Sequence, residues 1–166
     1  MNRRVALVVT TTAVLLASYP VAKLATAQPQ PSLMFVQTAQ KIDYKEGVMT
    51  LYGVPSKTVF FTDRPNRVIG SLPTDKFVAK WTTDTGPNGF AKDPPNAAVT
   101  VFEPGGAKTA IVELSNPRLD GDKLSYNVKV LQGIGSAQPA AGVVFIDNWP
   151  SWATDAFGEG MGGYHQ

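Results

Sequence analysis

Residues 33–53 read LMFVQTAQKIDYKEGVMTLYG, and this stretch decides the fold class. Across residues 33–44 the side chains alternate between two faces, which is typical of a β-strand. Lys45-Glu46-Gly47 predicts a tight turn with Gly47 at the position that needs a positive φ. Residues 48–53 then return as a second strand, so the stretch predicts an antiparallel hairpin.

The rest of the chain continues the β pattern. Five more strands are predicted at residues 59–62, 98–102, 109–114, 124–131 and 143–146. The first of them is apolar almost throughout, which predicts burial on both of its faces. Seven strands with short, turn-rich links favour an all-β domain, specifically an antiparallel β-sandwich of about seven strands with one short helix.

The one helix is predicted at residues 74–81. Thr74 is its candidate N-cap, and Asp75 lies near the positive end of the helix dipole. Phe77, Val78 and Trp81 share a face. We therefore expect the helix to bury Phe77 and Trp81 over one end or edge of the sandwich.

Residues 1–27 are predicted to be a signal peptide. Arg3 and Arg4 precede a short apolar run at residues 5–17, and Ala25-Thr26-Ala27 offers the small residues that a signal peptidase recognises. We expect an exported protein, periplasmic or secreted, without a membrane span after cleavage. An uncleaved anchor and the twin-arginine route stay open as alternatives.

The remainder divides into three parts. Residues 28–32 are a Pro/Gln-rich, disordered lead-in, residues 33–147 form the β-sandwich domain, and residues 148–166 are predicted to be a flexible aromatic and Gly-rich tail. Trp149, Trp152 and Tyr164 in the tail are candidate partner contacts, because exposed aromatic side chains gain from docking. The alternative is a disordered end that binds nothing.

Charge and composition narrow the possible partners. Cleavage would remove three of the 15 basic residues and none of the 13 acidic ones, so the formal charge would move from +2 to −1. A near-neutral domain argues against nucleic acid as a partner. The chain has no cysteine, which excludes disulfides and a lipidated N-terminal cysteine. We expect a monomer.

The sequence lacks several residues and motifs that are common in catalytic sites. The single histidine is His165, next to the last residue, so the domain body lacks both a histidine base and a cysteine nucleophile. No motif indicates a cofactor or a zinc site, and Asp120-Gly121-Asp122 is typical of a tight turn rather than of a calcium site. We therefore expect a protein that is not an enzyme, without cofactors.

Three polar segments are candidate ligand-binding sites. Their residues are Asp63, Arg64 and Arg67 after the third strand, Asp93 before the fourth, and Arg118 and Asp120 in a segment interpreted as a hairpin connection. Since three acids balance three bases, we expect these side chains to lie close together and to tie the loops by charged hydrogen bonds. Alternatively, Arg64 and Arg67 could hold an anion.

The same segments carry a resemblance. The patterns F-x-D-R-P-x-R (residues 61–67), D-P-P-N-A (residues 93–97) and N-P-R-L-D-G-D (residues 116–122) occur together here. In this respect the chain resembles, over residues 36–147, a family of exported, uncharacterised bacterial proteins (a domain of unknown function). The resemblance implies a shared domain and assigns no catalytic residue.

Two functions follow as expectations. The first is a non-catalytic exported binding or interaction module of the cell envelope, whose partner is an unknown envelope protein or a small ligand. The alternative is an enzyme acting on a small anionic or sugar-like ligand held by Arg64 and Arg67. Both rest on fold-level analogy and on the chemistry that the sequence lacks.

Overall fold

The computed structural model describes residues 33–62, 67–86, 88–133 and 138–147. These residues form eight strands and one helix. In chain order they are β1 (Leu33–Lys45), β2 (Val48–Tyr52), β3 (Lys57–Thr62), β4 (Ile69–Pro73), α1 (Thr74–Thr83), β5 (Asn96–Glu103), β6 (Gly106–Asp120), β7 (Lys123–Gly133) and β8 (Ala140–Asp147).

The strands form one antiparallel sheet in the order β2-β7-β6-β5-β8-β1-β3-β4. An additional pairing of β2 with β1 joins the sheet to itself. Six strands, β1, β2, β7, β6, β5 and β8, therefore form a closed ring, and the β3–β4 hairpin extends from it. Closure is possible because β1 is long: its first residues pair with β3 and its last residues, from Lys41 to Lys45, pair with β2 on the same edge.

The predicted fold class is confirmed: the domain is all-β, antiparallel and sandwich-like, with one short helix. The first hairpin is also confirmed, since Gly47 has a φ of 79° between the paired residues Lys45 and Val48. The strand that was not predicted is β4. It contains Gly70, whose lack of a side chain leaves space for the ring of Phe60 on the neighbouring strand.

The interpretation of residues 116–122 as a hairpin connection was wrong in part. β6 continues through Pro117 to Asp120, and only Gly121 and Asp122 form the turn. Pro117 has no N–H to donate, and the ladder accommodates it by a register shift between Ser115 and Arg118. Proline therefore marks a bulge here and not the end of the strand.

The prediction that the third strand is buried on both faces was also wrong. Phe60 points into the core and is 2% exposed, whereas Val59, one residue earlier, is 41% exposed. The strand alternates, and its other face lies on the outside of the sheet.

The helix covers one end of the ring, as expected. Phe77 and Trp81 are buried, and the Trp81 ring lies 4.6 Å from that of Phe90 and 5.4 Å from that of Tyr126, between centroids. The N-cap prediction was wrong: Pro73 is the N-cap, and Thr74 is the first helical residue. Its hydroxyl instead donates to the carbonyl oxygen of Pro55, 2.9 Å away.

Within the described residues, no helix has the length and apolarity that crossing a membrane requires.

Candidate functional site: the open end of the ring

The two ends of the closed ring differ. One end is filled by the aromatic side chains around α1, with Phe35 of β1 in contact with Phe77 at 5.0 Å between ring centroids. Ile42 lies seven residues further along β1, which places it about 23 Å away along the strand. At that end, among the described residues, the interior of the ring opens to solvent through a small cavity of about 60 Å³.

The deep part of this cavity is apolar. Strand alternation points every second side chain inward, so that Val99 of β5 and Ala110 of β6 are paired and both line the cavity. Val112 and Val130 form a second such pair between β6 and β7. The buried lining residues are Ile42, Met49, Val99, Val101 and Val112.

The rim is amphipathic. Tyr44 and Val130 line the cavity and are 40% and 41% exposed, so apolar surface continues to the opening. Lys108 lies opposite Val101 in the β5–β6 pair and also lines the cavity. A site of this kind offers an apolar interior with one cationic group at its edge.

Lys108 is held in place by an ion pair. Its Nζ lies 3.0 Å from Oε2 of Glu103, on the other arm of the same hairpin. The hydrogen bond from Lys108 lowers the pKa of the Glu103 carboxyl below its usual value, and the backbone N–H of Gln138 also donates to this carboxylate. The pair neutralises the charge of Lys108 at the edge of the cavity.

The covered end of the ring contains a polar chain of hydrogen bonds. The Tyr126 hydroxyl donates to Oε1 of Gln37 at 2.7 Å, and Nε2 of Gln37 donates to Oγ1 of Thr58 at 3.4 Å. Thr58 and Thr74 are linked through their hydroxyl oxygens at 3.2 Å. Because the Thr74 hydroxyl donates to a backbone carbonyl, Thr58 is the donor in that pair. Each group in the chain therefore donates to the next, from Tyr126 to Thr74.

We assign this chain a structural role. It links β7, β1, β3 and the first residue of α1, and Gln37, Thr58, Thr74 and Tyr126 are all buried. Burial raises the pKa of the Tyr126 hydroxyl well above its usual value, so this group stays protonated and acts as a donor.

A second cavity, more open to solvent and with a volume of about 260 Å³, lies beside the start of α1 and carries two acidic side chains, Asp75 and Asp122. Across the described ranges, no group of three or more His, Cys, Asp or Glu residues is placed to hold a metal ion. Of the described residues that line this groove, only Val54 and Thr74 are buried, so it lacks the buried aliphatic lining of the open end of the ring.

The structure describes four of the six polar candidates. Arg67, Asp93, Arg118 and Asp120 are exposed. Among the described residues, none of these four forms an ion pair, and neither of the two cavities above is lined by any of them. Asp63 and Arg64 lie outside the described residues, so the predicted cluster of all six stays a prediction.

Trp149, Trp152 and Tyr164 also lie outside the described residues, as do residues 1–32. Their assignment as partner contacts therefore stays a prediction.

The cavity itself was not predicted. Val99, Val101 and Val112 lie in runs correctly predicted to be strands, and alternate residues of a strand point to the same face. This alternation looks the same whether the interior of the ring is filled or contains a cavity. The difference depends on which side chains cover each end of the ring.

Comparison of the chain with protein families, with curated proteins and with solved structures finds no match. The resemblance based on the three polar segments therefore stays a prediction, and the function is inferred from the chain's own geometry.

Proposed function

We propose that this chain is a non-catalytic, exported binding module that takes a small apolar ligand, such as the alkyl chain of a lipid, into the open end of the ring. The observation that carries the proposal is the solvent-open cavity with its buried aliphatic lining. Ligand pockets are typically concave and mostly apolar, and this small cavity has both properties. The mouth of a closed sheet is also a common place for such a site.

The lining supports binding rather than catalysis. Among the described residues it consists of aliphatic side chains, one methionine, one tyrosine and one threonine, with Lys108 as its single charged residue. Lys108 is already neutralised by Glu103. A general acid or base needs a titratable group within hydrogen-bond reach of the reacting atom, and the buried part of this lining supplies none.

The rim supports a ligand with an apolar body and a polar end. The body would lie against Val99, Val101 and Val112, and the polar end would remain at the opening beside Tyr44 and Lys108. Burying an alkyl chain contributes about 0.8 kcal/mol per methylene, which favours a chain of several carbons over a compact polar molecule.

The test is a titration of the full chain with a dansyl-labelled fatty acid, followed by dansyl fluorescence. We expect saturable binding with one ligand per chain, and displacement of the probe by an uncharged long-chain alcohol. Ala110→Trp places an indole in the cavity and should weaken binding about ten-fold or more, equivalent to about 1.4 kcal/mol.

A matched control is available on the same strand. Ala107 is exposed and, three residues from Ala110, lies on the opposite face of β6, so Ala107→Trp should bind the probe like the unmodified chain. Urea unfolding of both variants checks that each is folded. If the chain shows no saturable binding, or if both tryptophan variants bind equally well, the cavity is not the ligand site.

A further inference from the structure

The outside of the sheet carries an apolar surface that does not take part in the core of the ring. The register aligns Ile111, Ala98, Phe145, Val36 and Val59 side by side across β6, β5, β8, β1 and β3. Three of these side chains, Ile111, Phe145 and Val59, are 38–41% exposed. They form a continuous apolar row on the convex side.

A second row lies beside the first. Asp147, Met34, Phe61 and Ile69 are successive neighbours across β8, β1, β3 and β4, and Ile69 is 56% exposed. We call the two rows without Asp147 the outer apolar face. Contiguous exposed apolar surface of this kind usually marks a contact site. Residues 59–62 are almost entirely apolar, which is typical of a strand that is covered on both faces, although the outer face of β3 is exposed among the described residues.

We infer that the outer apolar face is the docking site of the chain's own C-terminal segment, residues 148–166, through Trp149 and Trp152. The position of the last strand supports this occupant. β8 ends at Asp147, which belongs to the second row, so the segment begins at the face itself.

The C-terminal segment is long enough to span the outer apolar face. Neighbouring strands lie about 4.8 Å apart, so Ile69 is about 14 Å from Asp147 across three strand spacings. Five extended residues span at most about 17 Å, which brings Trp152 to Ile69 and leaves Trp149 near Met34 and Phe61. Aromatic side chains of this size bury about 150–250 Å² each.

The β3–β4 side of the face also has complementary charge. Residues 148–166 contain Asp155 and Glu159 and no lysine or arginine. Lys57, two residues before Val59 on β3, and Arg67, two residues before Ile69, are both exposed beside the face. A tethered segment competes well against a second copy of the chain, because its effective concentration is on the order of millimolar.

The absence of native cysteine makes a direct test possible. Val59→Cys places one thiol on the outer apolar face, and Asn127→Cys places a control thiol on exposed β7, away from it. In the full chain we expect the thiol at position 59 to react about ten-fold or more slowly than in a chain that also carries Trp149→Ala and Trp152→Ala. The thiol at position 127 should react equally fast in both backgrounds.

Two results would overturn the inference. If the two alanine substitutions leave the reaction at position 59 unchanged, the segment does not cover the face. If protection at position 59 grows with protein concentration and survives the alanine substitutions, a second copy of the chain covers it instead. Protection that is independent of concentration and lost in the alanine variant supports docking of the segment.

Discussion

Substitution of Gln37, in the middle of the buried hydrogen-bond chain, should lower the free energy of unfolding more than substitution of Tyr126 at its end. Tyr126→Phe removes one hydroxyl and leaves Oε1 of Gln37 without that donor, which should lower the free energy of unfolding by about 1–3 kcal/mol. Gln37→Leu removes both bonds that the amide makes, to Tyr126 and to Thr58. With two buried polar groups affected, the expected loss is about 2–4 kcal/mol.

The double variant tests whether the chain acts as a unit. Tyr126→Phe removes one of the groups that Gln37→Leu would leave without a partner. The combined loss should therefore be smaller than the sum of the single losses by about 1 kcal/mol or more. Urea unfolding followed by tryptophan fluorescence measures all three, since Trp81 lies 5.4 Å from the Tyr126 ring, between centroids.

A control is provided by an exposed hydroxyl pair. Thr100 and Thr109 are 2.9 Å apart between their hydroxyl oxygens on the surface, and Thr100→Val should change stability by no more than about 0.5 kcal/mol. Additive losses from the two core substitutions, or a loss for Gln37→Leu no larger than that of the control, would refute the reasoning.

Two further predictions concern the covered end of the ring. Trp81→Ala should lower the free energy of unfolding by about 3–5 kcal/mol, because Trp81 is 1% exposed; a loss below about 1 kcal/mol in urea unfolding would show that its packing is unimportant. Burial raises the pKa of Tyr126 in the folded state above the value of about 10 expected when unfolded, so its contribution is complete below pH 10 and is lost as the pH rises further. Between pH 10 and 11 the unmodified chain should therefore lose up to about 1 kcal/mol more than Tyr126→Phe, and parallel losses would contradict this.

Local chemistry explains which parts of the fold the sequence predicts well. The hairpin at Glu46-Gly47 was predictable because its turn needs a positive φ, which is a property of two adjacent residues. The helix was predictable because Phe77 and Trp81 recur at helical spacing. Each signal lies within a few residues and needs no distant partner.

The features that were missed depend on distant partners. β4 contains glycine, serine and proline and does not resemble a strand; it forms because Gly70 fits under Phe60 of β3. Pro117 is typical of a turn and becomes a bulge only because β7 pairs on both sides of it. The cavity depends on closure of the ring by the pairing of β2 with β7 and of β1 with β8, and no local pattern encodes these registers.

The place of β8 has a consequence for how the domain folds. β8 is the last described strand, and it lies between β1 and β5, so the ring cannot close until almost the whole described chain is available. Pairing of the first described strand with the last is highly non-local, and such topologies fold slowly, on a scale of about milliseconds to seconds. Until β8 arrives, β1 and β5 each present an unpaired edge to which other chains can add. Aggregation of this domain should therefore be decided by how soon residues 140–147 are in place.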